Sequence, residues 1–167
     1  MSPRILYRVA AGAEAVTWGL LVLGMVGKHL LGLGDVPVRM AGGAHGFVFL
    51  GYCVSTVVVW TDRRWPARTG VLGLVLSVVP FATVPFERGV ERRGLLADAW
   101  RVAPAGAPAS APTAGGTTGR QTARTPAERL LAVILRWPLL SGVVLVAFVA
   151  ALFSVLLTVG PPTQWFR

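Results

Sequence analysis

Four apolar runs separated by short polar knots organise this chain. The first extends over about residues 5–31. Arg8 and Lys28 are twenty residue steps apart, which is about 30 Å of helix at 1.5 Å per residue and matches a bilayer core. A turn built from Gly32, Gly34, Asp35 and Pro37 leads into a second span over about 38–60. Asp62, Arg63, Arg64 and Trp65 then form a polar hairpin with an aromatic anchor at its edge. The third run, about 69–86, carries Pro80 and Pro85. Each proline removes a backbone donor, so this span is expected to bend or unwind near its end.

Residues 88–102 interleave charge with Val90, Leu95, Leu96, Ala99 and Trp100, the pattern of a short helix lying in the membrane interface. The segment 103–126 is Ala, Pro, Gly, Ser and Thr with no large apolar residue. It cannot bury enough surface to offset its ordering entropy and is expected to be a disordered linker. Order resumes over 127–160. Thr125, Pro126 and Glu128 suit the N-cap, N1 and N3 positions of a helix, a capping box. Arg136, Trp137 and Pro138 mark a membrane border, and 139–160 is a run of twenty-two residues without a charge, long enough for a fourth transmembrane helix.

Composition agrees with the pattern. The 167 residues are 54% hydrophobic and 14% charged, with a mean hydropathy of +0.64. That leaves too little polar surface for a soluble domain and excludes disorder of the whole chain. The net charge of +9 comes mostly from arginines flanking the apolar runs, where basic side chains meet lipid headgroups. No groove-reading or base-stacking motif accompanies it, so nucleic acid is not an expected partner. Cys53 is the single cysteine, which excludes an intrachain disulfide and a cysteine-based zinc set. The apolar stretch 9–27 after Arg4 and Arg8 exceeds a signal-peptide core of roughly 7–15 residues, so a retained span is expected.

Ionisable groups inside a span are costly, and each marks a candidate site. Glu14 lies six residues past Arg8, with apolar turns on both sides; it either stays protonated or faces a polar partner. The second span carries His45, with Phe49 and Tyr52 on the same stripe. Gly42 and Gly46 form a small-xxx-small pattern for close helix packing. With antiparallel spans and a third span that crosses fully, Lys28, His45 and Glu87 would gather at one membrane border, and Glu14 would face the Tyr52–Ser55 region. The competing readings are snorkelling for Lys28 and Glu87 and an interhelical hydrogen bond for His45. No second His or Cys stands at ligand spacing, so neither metal nor cofactor is expected. Four spans with both termini on the cytoplasmic side place six basic residues there and ten outside, against the positive-inside tendency. A re-entrant third run would give thirteen against three.

Arg8, the Glu14 helix, Met25-x-x-Lys28, Gly43-x-His45-Gly46, Phe49, Tyr52, Trp65, Pro80-Phe81-x-Thr83 and Phe86-Glu87 occur in an order that resembles the YdzA-like family of unknown function. These are small integral-membrane proteins of bacteria, common in actinobacteria. The resemblance covers about 4–93. It implies a three-helix membrane domain with Glu14, Lys28, His45, Gly46, Pro80 and Phe81 at signature positions, and no known activity. Ala82 and Val84-Pro85 depart from the family pattern, and the linker and last span lie outside it.

The expected fold is therefore an all-α polytopic membrane bundle, a three-helix core plus a fourth transmembrane helix. It is expected in the cytoplasmic membrane as a multi-pass protein. The lipid bilayer is its surrounding, with a membrane-protein partner or a second copy of the chain as its company. The expected role is structural or accessory in a membrane assembly. The alternative is a proton- or cation-coupled carrier using Glu14 as the exchanging carboxylate. An enzyme is not expected, since no HExxH, Ser/His/Asp set or Walker loop is present.

Overall fold

The computed structural model describes residues 1–102 and 125–136, with Val143, Val144, Ala147, Phe148, Ala150, Ala151, Ser154 and Val155. Most of the expected linker and much of the expected fourth span lie outside these residues. The described elements are all helical: α1 (Pro3–Leu30), α2 (Val36–Arg63), α3 (Ala67–Leu76), α4 (Thr83–Arg92) and α5 (Pro126–Arg136).

Local chemistry sets these boundaries. The Ser2 hydroxyl accepts from the Ile5 N–H, and Pro3 occupies the first turn of α1, where a missing donor costs least. After Leu30 the chain turns through Gly32 and Gly34, both with positive φ, and Pro37 opens α2. Arg64, in the left-handed region, ends α2 with its N–H returned to the Trp60 carbonyl. The capping box forms at α5: the Glu128 N–H donates to Thr125 Oγ1 at 3.2 Å, and the Thr125 N–H to Glu128 Oε2 at 3.3 Å.

α1 and α2 are antiparallel, with Tyr7 beside Tyr52, Thr17 beside His45 and Gly24 against Pro37. Both are 28 residues and apolar enough to cross a membrane. Val9, Val16, Leu20, Leu23, Met40 and Val57 stand exposed on their outer faces. Lipid is the solvent that such a surface fits.

The third apolar run does not continue as one kinked span. α3 climbs along α2 with Gly70 against Trp60, Gly73 against Thr56 and Ser77 facing Cys53. The chain reverses between Ser77 and Ala82, where Phe81 adopts φ 64°. α4 then descends along α1: Thr83 meets Glu14, Glu87 meets Arg8 and Glu91 meets Arg4. The tip stops beside Trp18, about half-way along α1, because Ser77 and Pro80 give up the helical ladder there.

The core sits at the end where α1 begins. Tyr7, Ala11, Tyr52, Val59, Trp65, Val90 and Leu96 are buried together, and the Tyr7 and Trp65 rings meet edge to face at 5.5 Å. Over 88–102 the expected interfacial helix is replaced. α4 runs only to Arg92, Gly94 turns with φ 69°, and the rest is a strap across the ends of α1 and α2. Its backbone partners come from outside itself. The Trp65 indole donates to the Leu95 carbonyl, the Arg4 N–H to Ala97, and both the Arg101 and Val102 N–H groups to the Asp62 carboxylate. These long-range bonds replace an i→i−4 ladder, so the segment has no need of a helix.

Candidate functional site

The polar residues of the helix pair converge on one face, and Glu14 is at the centre. Its side chain has no exposed surface. The Trp18 indole N–H, one turn along α1, donates to Oε1 at 2.8 Å, and the Thr83 hydroxyl, at the start of α4, donates to Oε2 at 2.7 Å. Both carboxyl oxygens are thus satisfied, one from within α1 and one from the hairpin. Among the described residues no cationic side chain reaches this carboxyl. Deep burial is compensated by neutral donors and by the N-terminal end of α4, where partial positive charge collects.

Two further groups extend the polar seam. Toward the Arg4 end, the Tyr7 and Tyr52 hydroxyls are 2.7 Å apart, and the Thr56 hydroxyl donates to the Tyr52 carbonyl. Toward the Lys28 end, Thr17 Oγ1 lies 2.9 Å from the Glu14 carbonyl and 3.1 Å from His45 Nδ1. The His45 ring packs on Trp18 with centroids 4.4 Å apart.

The expected border cluster of Lys28, His45 and Glu87 does not form. Lys28 Nζ pairs with Asp35 at 2.7 Å across the α1–α2 turn, and that ammonium holds the Asp35 carboxyl below its usual range. His45 sits at mid-depth beside Thr17. Glu87 lies at the other end, buried, with Oε1 3.6 Å from Arg8 Nε. The cause is the reversal at Ser77–Ala82, which returns Glu87 to the level at which α1 begins. Glu91 joins it there, pairing with Arg8 at 2.5 Å and with Arg4 at 3.5 Å.

The glycine expectation shifts as well. A Cβ on Gly42 would meet only Leu21 Cδ1, at an ordinary 3.8 Å. Close approach occurs instead at Gly24, where a Cβ would lie 3.2 Å from the Pro37 carbonyl, and at Gly70 and Gly73 under the hairpin. Gly46 stays on the half-buried stripe beside His45. Pro80 and Phe81 form the exposed tip of the hairpin and not a packing seam.

Sequence reasoning missed Trp18, Thr83, Tyr7 and Asp62. Trp18 is visible as the i+4 neighbour of Glu14. Thr83 stands inside the Pro80-Phe81-x-Thr83 motif, without a sign of what it would touch. In the sequence, Asp62 stands in a polar turn with nothing to mark it as buried. It is wholly buried and anchors the strap, while Glu128 bonds Arg64 and Arg101 beside it. Among the described residues, no three His, Cys, Asp or Glu side chains group as metal ligands would. Chemically, the arrangement is a set of hydrogen-bonded pins between helices.

Comparison with known proteins adds a family and no activity. A family model described as a domain of unknown function, DUF3817, matches residues 5–92, nearly the stretch that carries the sequence resemblance. A protein of Streptomyces coelicolor named as a membrane protein is 37% identical over 84 residues, covering 50% of this chain. The match takes in only 10% of that relative's length. No solved structure matches.

Proposed function

The chain belongs to the DUF3817 family, whose function is unknown, and on that premise we propose a non-catalytic structural or accessory component of a membrane assembly. The observation that carries this reading is Glu14. Its carboxyl lies within the apolar stretch of α1, is fully covered, and uses both oxygens to hold α4 and Trp18. The outer faces of α1 and α2 are left apolar, suited to lipid or to another helix. The Streptomyces relative lends support, since there a matching stretch forms a tenth of a far longer chain, as a seating module would.

In this reading the protein is a multi-pass component of the cytoplasmic membrane. α1 and α2 cross it, α3 and α4 enter and leave on the same side, and the run 139–160 crosses once more. Arg4, Arg8, Arg63, Arg64, Arg68, Arg88, Arg92, Arg93, Arg101 and Arg129 then share one side with Arg120, Arg124 and Arg136. Only Lys28, Arg39 and Arg167 fall on the other. The positive-inside tendency puts the arginine-rich side in the cytoplasm.

The runner-up is a proton- or cation-coupled carrier. One observation favours it: among the described residues, the buried Glu14 carboxyl has no cationic partner. Labelling with a membrane-permeant carbodiimide across pH, read by mass spectrometry, separates the two. The accessory reading expects modification at exposed Asp98 and none at Glu14. Strong labelling of Glu14 that falls as pH rises would favour the carrier.

A further inference from the structure

His45 carries a hydrogen-bonding atom that finds no partner among the described residues. Thr17 has one hydroxyl proton and two neighbours, the Glu14 carbonyl at 2.9 Å and His45 Nδ1 at 3.1 Å. With that proton on the nearer acceptor, the second contact takes Nδ1–H as its donor. A neutral imidazole protonated at Nδ1 leaves Nε2 as a bare acceptor. Among the described residues nothing reaches Nε2, and the ring is partly exposed.

The position of this acceptor is unusual. It is level with Thr17, at the middle of α1, and its ring is flanked by Trp18 at 4.4 Å and Phe49 at 6.2 Å. The hairpin stops at the same level. The Ser77 carbonyl lies 3.4 Å from the Trp18 indole nitrogen, and the Phe81 ring would lie 3.9 Å from a Cβ on Gly19. Val78 and Phe81 at the tip are exposed. α3 and α4 therefore cover this face toward the Arg4 end and form a step below His45 toward the Lys28 end.

We propose that this step is a binding site for a membrane-soluble long-chain alcohol whose hydroxyl donates to His45 Nε2. An unpaired acceptor facing hydrocarbon is costly, and a donor removes the cost. A bare acceptor selects a hydroxyl over a carbonyl or ether. The depth selects against a phospholipid, whose headgroup stays at the interface, and against an ammonium, which would carry its charge to the bilayer centre. The apolar body of the ligand lies against Trp18, Phe49 and the hairpin tip. The inference goes beyond the accessory role and does not depend on it.

The test uses the full chain in lipid nanodiscs with a diazirine-bearing hexadecanol as photoprobe. Peptides containing Trp18 or His45–Phe49 are expected to be labelled. Unlabelled hexadecanol should compete about tenfold better than its methyl ether, the difference one hydrogen bond makes. His45→Leu should lose labelling to a similar degree. His45→Gln, whose amide oxygen can accept, should keep most of it. Nitrogen-15 NMR should place the neutral ring proton on Nδ1. Equal competition by the ether, undiminished labelling of a folded His45→Leu variant, or a proton on Nε2 would each overturn the proposal. If His45→Leu does not fold, the alcohol-against-ether comparison on the unaltered chain decides alone.

Discussion

Thr83→Val keeps the volume of the side chain and removes the donor that reaches Glu14 Oε2 at 2.7 Å. The carboxyl oxygen then has no partner in a site with no exposed surface. A loss of about 1–3 kcal/mol in unfolding free energy is expected, the cost of a buried polar atom left unpaired. Glu14→Gln should cost less, because its amide oxygen still accepts one of the two bonds. Denaturant unfolding in mild detergent measures both; a change of only a few tenths would show that the hairpin is held elsewhere. Glu14 was legible in the sequence because a carboxyl between apolar turns has no cheap explanation. Its partner Thr83, 69 residues away, was not. Pairing the two requires knowing that the chain turns back, and no local pattern encodes that. The same holds for Glu87, whose position relative to Arg8 depends entirely on the direction of α4.

At the level of elements, the seating of α3 on α2 depends on glycine. A Cβ on Gly70 would fall 2.1 Å from the Trp60 ring. That ring is fixed by its own indole bond to the Trp65 carbonyl at 2.9 Å, so it cannot swing aside freely. Gly70→Ala is expected to push the hairpin off α2 at a cost of about 1–3 kcal/mol, the usual range for overpacking. Gly42→Ala, with 3.8 Å of room, should be near neutral and serves as the control in the same denaturation series. The turn between α1 and α2 and the start of α5 could be read from Gly32, Gly34, Pro37 and the Thr125–Glu128 box, since caps and turns are local chemistry. The third run could not. Pro80 and Pro85 fit a kinked through-going helix as well as a reversal. The decision rests on the left-handed backbone at Phe81 and on partners supplied by α1. The strap escaped for a related reason: its backbone bonds go to Asp62, Trp65 and Arg4, all remote in sequence.

For the whole molecule, the proposed topology makes the reversal bear on which way the protein faces. A third span that crossed would divide the basic residues six against ten, and charge would then say little about orientation. A hairpin that returns gathers the arginines of α3, α4 and the strap with those of α1 and α2, and the tendency becomes strong. Single cysteines in a Cys53→Ala background test this directly, placed at the exposed positions Arg39, Arg68 and Arg92. An impermeant maleimide added to intact spheroplasts should label position 39 alone. Positions 68 and 92 should react only after the membrane is opened, and both together. Labelling of 68 and 92 from opposite sides would mean that the run between them crosses, which would undo the hairpin in the membrane. Labelling of both from outside, with 39 protected, would keep the hairpin and reverse the orientation. The pair at 68 and 92 therefore reports on the fold, and position 39 on the facing, so one experiment separates the two.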